Sequence, residues 1–377
     1  MQKFWLLVLA ASLGGLPAVI SLSIKRTDVK DPVTVGQSLD NEETLYFCNI
    51  TLGTPKQSLR LVLDTGSSDL LVLSSSCAYV SPDFNISYAD ATGAAGDYVT
   101  DNVQIRGATV KDFQFGVGYS SSSSEGVLGI EYATNEVQIG RLDKSAYTNL
   151  PQTMVKSGLI KSNAYSLWLN DLGADTGSIV FGGVNTGKYH DELQTLPIQT
   201  VNGVYSELII ALTGISLSSS SNYHNYSSSN ALPVAVLLDS GSSLTYLPKA
   251  IIQIGIDELV LNSGDLRFRN DARACIFGIV PAGDSAAVLG DTFLRSAYVV
   301  YDLSKNEISI AKTNFKPTED NILEIGTGDD SVPAATLVSN PVTSTVADGS
   351  GARIGGPTDF PKHFVMVAAA IGYVLAI

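Results

Sequence analysis

One eight-residue pattern occurs twice in the chain. Leu61-Val62-Leu63-Asp64-Thr65-Gly66-Ser67-Ser68 returns 175 residues later as Val236-Leu237-Leu238-Asp239-Ser240-Gly241-Ser242-Ser243. In each copy an apolar run delivers an aspartate into a turn of small residues. A second echo follows each, Gly126-Val127-Leu128-Gly129 in the first half and Ala287-Val288-Leu289-Gly290 in the second. Two sets of parts in the same order predict two similar lobes facing each other across a cleft. A chain of 377 residues, 45% of them apolar, is long enough to bury a core in both.

An aspartate at the end of a buried strand is costly unless it is hydrogen-bonded, and the adjoining Gly and Ser or Thr supply N–H and hydroxyl donors. If two such loops meet, Asp64 and Asp239 lie too close for both to ionise, and they share one proton over an acidic range. Such a pair can deprotonate a water and protonate a carbonyl oxygen in one step. That is peptide hydrolysis without a metal or another cofactor, and none is expected. A single Asp-Gly turn would be an ordinary turn. The doubling, with a matched apolar-apolar-Gly echo after each copy, is what singles these two out.

The body between the ends consists of short runs rich in Val, Ile, Leu, Tyr and Phe, such as residues 58–63, 98–103, 178–181 and 297–301. Separated by Gly, Asn, Asp and Ser, they predict strands and a mainly β fold. Helical periodicity is confined to about 151–158 and 249–260. The serine clusters at 120–124 and 218–221 are predicted to be surface loops. With 23 Lys+Arg against 37 Asp+Glu the formal net charge is −14, and no basic patch offsets it, so a nucleic-acid partner is not expected. Three cysteines and three histidines, none in a metal-ligand spacing, exclude a disulfide scaffold and a zinc site. Residues 182–188 nearly match a phosphate-binding loop, but Tyr189 stands where the magnesium-binding hydroxyl belongs. No G-x-S-x-G supports a serine hydrolase.

Both ends carry export signals. Residues 1–22 combine a short charged start with an apolar run too short to span a bilayer, as in a secretory signal peptide. Lys25-Arg26 is a candidate dibasic processing site. From about residue 314 to 350 the chain is rich in Ser, Thr and Gly and is predicted to be a stalk. Small residues at Gly349, Ser350 and Gly351, a polar spacer and a short apolar tail over 351–377 match a GPI-attachment signal. Asn49, Asn85 and Asn225 head three glycosylation sequons. Together these predict an extracellular protein held at the cell membrane or wall.

The sequence resembles the pepsin-like aspartic proteases, and within them the fungal secreted and GPI-anchored branch that includes the yapsins. The resemblance runs from about Leu45 to Ala311 and is carried by residues 50–57, 64–69, 239–247 and 289–295. It implies a bilobal β fold, with an N-terminal lobe over 45–185, a shortened C-terminal lobe over 186–313 and a short pro-segment over 23–44. It also implies Asp64 and Asp239 as the catalytic pair, Thr65 and Ser240 as hydroxyls locking the loops together, and Ser67 and Ser242 as groups orienting the carboxylates beside Gly66 and Gly241. Residues 86–93 resemble the hairpin flap that closes over substrate, with Tyr88 as its signature tyrosine. Peptide or protein substrates and a monomer are expected. Asp90, at the flap tip of an acidic protein, suggests a preference for basic residues, and a solvated flap aspartate is the alternative. Cys48 and Cys77 are candidates for a disulfide within the first lobe.

The chain departs from the family in places. Leu71 stands where the family has Trp, which predicts a looser flap, and Ala89 follows Tyr88 where Gly is usual. Only 24 residues separate Asp64 from Tyr88, and 51 separate Asp239 from Gly290. Each stretch is tens of residues shorter than the resemblance implies, which leaves Cys275 without its usual partner. The second reading these departures allow is a cell-surface or wall binding protein that keeps the bilobal fold with impaired catalysis.

Overall fold

The β-branched and aromatic runs form strands at Gln57–Asp64, Gly93–Ile105, Thr176–Phe181 and Ala297–Asp302. The computed structural model describes residues 33–74, 84–88, 91–142, 144–218, 223–225, 232–251, 278–283 and 285–341. Within them the chain is mainly β, with short helices at Val137–Leu142, Leu150–Lys156 and Asp291–Leu294. The second of these is the helix expected at 151–158. Asn149 caps it by accepting from Gln152 N–H, and Pro151 fits the first turn, where no intrahelical donor is needed. Of the helix expected over 249–260, only residues 249–251 are described, and they are helical.

The doubled sequence pattern is doubled in the sheets. In the first half, strand Gln57–Asp64 runs parallel to Gly126–Gly129, which is antiparallel to Leu70–Leu73, which is parallel to Ala108–Ser121. In the second half, Val234–Leu238 runs parallel to Ala287–Leu289, which is antiparallel to Thr245–Leu247, which is parallel to Ile279–Pro281. Each aspartate loop therefore leaves one strand and returns two places away. The strand carrying the apolar-apolar-Gly echo lies between its two arms, and this explains why the two echoes travel together in sequence.

The first set closes on itself, because strand Tyr46–Leu52 pairs with Gln57–Asp64 on one side and with Gly93–Ile105 on the other. The same sheet continues through Val35–Asn41, Thr176–Phe181, Ala164–Trp168, Ala297–Asp302, Glu307–Thr313 and Tyr189–Pro197, so it joins strands from both halves. Its core is built of fully buried Leu, Val, Tyr and Phe, among them Leu39, Leu63, Tyr165, Phe181 and Tyr301.

Two expectations are corrected here. Residues 314–341 are not a stalk, because Ile322–Glu324 pairs with Gly183–Asn185 and Ala335–Leu337 adds parallel to Leu193–Thr195. Ile325 and Val332 between them are buried against Trp168 and Tyr298, which draws the segment onto the sheet despite its polar composition. Cys48 is a free thiol and forms no bridge to Cys77. It sits fully buried between Leu39 and Leu61 in register, and burial pushes its thiol up to about 12. Cys77 itself lies outside the described residues.

The near-match to a phosphate loop is also accounted for. Lys188 lies 3.9 Å over the Trp168 ring and pairs with Asp320 at 3.4 Å, so its charge is used within the fold.

Candidate active site

The two aspartate loops meet and hold each other by reciprocal hydrogen bonds. Thr65 Oγ1 donates to the Leu238 carbonyl at 2.9 Å and accepts from Ser240 N–H at 2.9 Å. Ser240 Oγ donates to the Leu63 carbonyl at 2.9 Å and accepts from Thr65 N–H at 3.2 Å. All four groups are buried, so each bond satisfies polar atoms that would otherwise cost about 1–3 kcal/mol unpaired. A hydroxyl is required at both positions, which is why the repeat tolerates Thr in one copy and Ser in the other.

Inside this lock the carboxylates are held alike. Asp64 Oδ1 accepts from Gly66 N–H at 2.8 Å and its Oδ2 accepts from the Ser67 hydroxyl. Asp239 Oδ1 accepts from Gly241 N–H at 2.8 Å and its Oδ2 accepts from the Ser242 hydroxyl at 2.6 Å. The glycines are needed for close approach. A Cβ on Gly66 would stand 2.7 Å from Asp239 Cγ, and one on Gly241 would stand 2.5 Å from Asp64 Oδ1. Each loop therefore presents bare backbone to the other's carboxyl.

Both aspartates are fully buried or nearly so. Burial pushes each above the usual carboxylate range, and the Asp239 charge raises Asp64 further, while the serine and glycine donors oppose the shift. The pair therefore retains one proton where isolated carboxylates would have lost theirs. One ionised and one protonated oxygen side by side can take a proton from one atom and give a proton to another.

A third acid, absent from the sequence expectations, supports the first loop. Asp69 is buried and accepts from Tyr98 Oη at 2.8 Å and Tyr147 Oη at 3.1 Å on one oxygen, and from Val137 N–H at 2.9 Å on the other. Burial raises it and these three donors oppose the rise. The signal available in the sequence was a break in the echo, since the second copy has Leu244 where the first has Asp69. Asp291, the residue after the second echo glycine, is fully buried within electrostatic reach of Asp239 and Asp64, and its N–H donates to the Ser242 carbonyl at 2.8 Å.

The other expected residues lie apart from the loops or outside the described residues. Tyr88 ends the hairpin strand Phe84–Ser87 and is buried in one apolar cluster with Phe47, Leu71, Phe84 and Ile86. Leu71 is itself fully buried there, so position 71 meets the hairpin by apolar packing. Asn49 and Asn85 are exposed on strands, and Asn225 ends strand Tyr223–Asn225. Asp90, Gly349, Ser350 and Gly351 lie outside the described residues. Among the described residues no cluster of His, Cys, Asp and Glu is arranged to hold a metal, and no helix is long and apolar enough to cross a membrane.

Comparison with known proteins agrees with this geometry. The family profile described as eukaryotic aspartyl protease matches residues 45–84, 74–263 and 251–313. The chain is 64% identical to a protein of Aspergillus oryzae named probable aspartic-type endopeptidase opsB, with 100% of each chain covered. That alignment runs over 486 positions, so about 109 of them have no counterpart among this chain's 377 residues. Secreted aspartic protease 8 of Candida albicans is 32% identical, over 75% of this chain and 79% of that one. The crystal structure of the aspartic proteinase from Irpex lacteus shares the fold, with a TM-score of 0.58 at 19% identity over 76% of this chain and 100% of that one. With its doubled loop, its doubled sheet and these matches together, the chain belongs to the eukaryotic aspartyl protease family and is a pepsin-like aspartic protease.

Proposed function

We propose that the chain is an endopeptidase in which Asp64 and Asp239 activate a water against a peptide carbonyl. The observation that carries this reading is the reciprocal loop geometry, which gives each carboxyl one N–H and one hydroxyl donor and leaves one proton on the pair. The ionised carboxylate takes a proton from water as its oxygen bonds to the carbonyl carbon, and the protonated carboxyl gives its proton to the carbonyl oxygen. Collapse of the tetrahedral intermediate returns a proton to the pair and delivers one to the leaving nitrogen. The carbon–nitrogen bond breaks and the pair is restored with one proton. Thr65 and Ser240 position the loops, and the resemblance to the family assigns Tyr88 and Asp90 to the flap. Impaired catalysis is the weaker reading, because the loop contacts it would require to be lost are all present.

Purified protein is expected to cleave a quenched peptide library at acidic pH and to lose that activity to a statyl transition-state mimic, which binds an intact dyad tightly. Folded protein without mimic-sensitive cleavage would reject the proposal. The same library tests the preference for basic residues suggested by Asp90 and the net charge of −14. Enrichment of Lys or Arg at the cleavage site that disappears in Asp90→Ala supports it, and an unchanged pattern rejects it.

We further propose export and surface attachment. The signal-like residues 1–22, three sequons and the small-residue site at Gly349 to Gly351 support it. A relative named as secreted in Candida albicans adds to this. Treating intact cells with a phosphatidylinositol-specific phospholipase is expected to release the protein, and retention on the cells would count against a GPI anchor.

A further inference from the structure

The backbone and the side chain of Asp69 hold different parts of the molecule. Its carbonyl accepts from Gly129 N–H at 3.0 Å, which fixes the residue after the first aspartate loop to the echo strand. Its carboxylate, buried at 1% exposure, reaches the hairpin instead: Oδ1 accepts from Tyr98 Oη at 2.8 Å. Tyr98 stands on Gly93–Ile105, the returning arm of the hairpin whose outgoing arm is Phe84–Ser87. The Tyr98 ring meets Phe84 edge-on at 5.1 Å and Tyr147 at 5.8 Å between centroids. Phe84 in turn fills the space at Gly116, where an added Cβ would stand 2.7 Å from its ring, and Gly116 lies opposite both Tyr98 and Leu71 in register. Tyr147 Oη, at 3.1 Å on the same oxygen, and Val137 N–H, at 2.9 Å on the other, hold the carboxylate in this direction. Two residues before Tyr98, the ladder with Ala108–Ser121 shifts register between Ala95 and Gly96, so the hairpin bends there.

We propose that Asp69 is a positioning residue that ties the base of the hairpin to the first aspartate loop through the Tyr98 hydroxyl and so raises the affinity for peptide substrate. The inference rests on the protease reading and on the family resemblance that makes this hairpin the flap. Leu71, Phe84, Ile86 and Tyr88 bury the hairpin in one apolar cluster, but apolar burial has no preferred direction, and Leu71 offers the hairpin no hydrogen bond. A hydrogen bond to a carboxylate is short and directional, and this one is made just where the bulge interrupts the ladder. It fixes the angle at which the hairpin tip leaves the loop. A hairpin already held at that angle has less to order when substrate enters, and apparent affinity falls in proportion as the competent arrangement becomes less populated. The contacts that orient the two catalytic carboxyls, from Ser67 and Ser242, do not involve Asp69, so the tie acts on KM more than on kcat.

The test uses Tyr98→Phe, Asp69→Asn, Asp69→Ala and the double variant of Asp69→Ala with Tyr98→Phe in the full chain. Phenylalanine keeps the ring against Phe84 and Tyr147 and removes only the hydroxyl. In Tyr98→Phe the KM for a quenched peptide and the Kd of a statyl mimic are expected to rise about tenfold, the effect of one lost hydrogen bond to a charged group, with kcat changed by less than about twofold. Asp69→Ala should raise KM at least as far, and Asp69→Asn, which keeps an acceptor oxygen, should raise it less. Adding Tyr98→Phe to Asp69→Ala should raise KM no further, because the tie is already gone. Amide hydrogen exchange gives a readout without cleavage. The N–H groups of Ile86 and Tyr88, the latter bonded to the Thr92 carbonyl at 2.7 Å, should exchange faster in Tyr98→Phe, while those of Leu61 and Leu63 keep the parent's rates. That measurement separates failure of this proposal from failure of the protease reading. Unchanged hairpin exchange or unchanged KM and mimic affinity in Tyr98→Phe, or a further rise of KM in the double variant, would overturn it.

Discussion

Asp64→Asn and Asp239→Asn are each expected to lower kcat by about 10⁴-fold, the upper end of what a general acid–base group supplies. Asparagine preserves shape, and its carbonyl oxygen can still accept from Gly66 N–H or Gly241 N–H, so the loop geometry survives. An amide neither takes a proton from water nor gives one to a carbonyl oxygen, so the pair loses its chemistry with little loss of structure. The parent should show a bell-shaped pH profile whose limits belong to the pair and not to either aspartate alone. Because burial raises both carboxyls, the working window reaches above the ordinary carboxylate range. The stability consequence has the opposite sign to that of a salt-bridged aspartate. Stability from the proton-bearing pair is present in acid and lost as pH rises, so the asparagine variants should melt above the parent near pH 7 and close to it near pH 4. Quenched-peptide kinetics and thermal melts across pH check both claims. Retention of more than about 1% of kcat by either variant would remove that aspartate from the mechanism.

The meeting of the two aspartate loops was legible because the loop is written twice in contiguous residues. Asp64 to Ser68 and Asp239 to Ser243 make most of their critical contacts within the loop or with the other copy, so a local pattern carried the geometry. The strands were legible for the same reason, since an apolar run bounded by turn residues is a property of neighbours. What escaped depends on distant partners. Asp69 is held by tyrosines 29 and 78 residues away, separations that leave no local trace. The segment after residue 313 misled for a related reason. Its composition is that of a stalk, but a few apolar residues, Ile325 and Val332 among them, are enough to seat it once an open sheet edge is available. Cys48 shows the limit of counting cysteines, because its alternation along strand Tyr46–Leu52 turns the thiol into the core. The shortened stretches between the motifs leave the two four-strand sets intact among the described residues.

Gly290→Ala is expected to destabilise the fold by about 3–5 kcal/mol. The strand Ala287–Leu289 ends between the two arms of the second aspartate loop, and a Cβ on Gly290 would stand 2.2 Å from the Leu244 carbonyl oxygen and 2.3 Å from that of Ser242. Both obstacles are backbone, so no side-chain rotation relieves them, and overpacking that an ordinary core absorbs for about 1–3 kcal/mol should cost more here. The arm carrying Ser242 has to shift. Its carbonyl then leaves Asp291 N–H, now at 2.8 Å, and its hydroxyl leaves Asp239 Oδ2, now at 2.6 Å. Activity should therefore fall together with stability, which separates this variant from the asparagine ones. Gly129→Ala repeats the test in the first half with contacts of 2.7 Å to Ser67 and Asp69 backbone, and the smaller overlap predicts a smaller loss. Gly328→Ala, with nothing within 4 Å of the added carbon, is the control and should change stability by less than about 0.5 kcal/mol. Urea denaturation at pH 5 orders the three. If Gly290→Ala were as stable as Gly328→Ala, the echo strand could not lie between the arms of the loop. The doubled apolar-apolar-Gly sequence would then have lost its physical explanation.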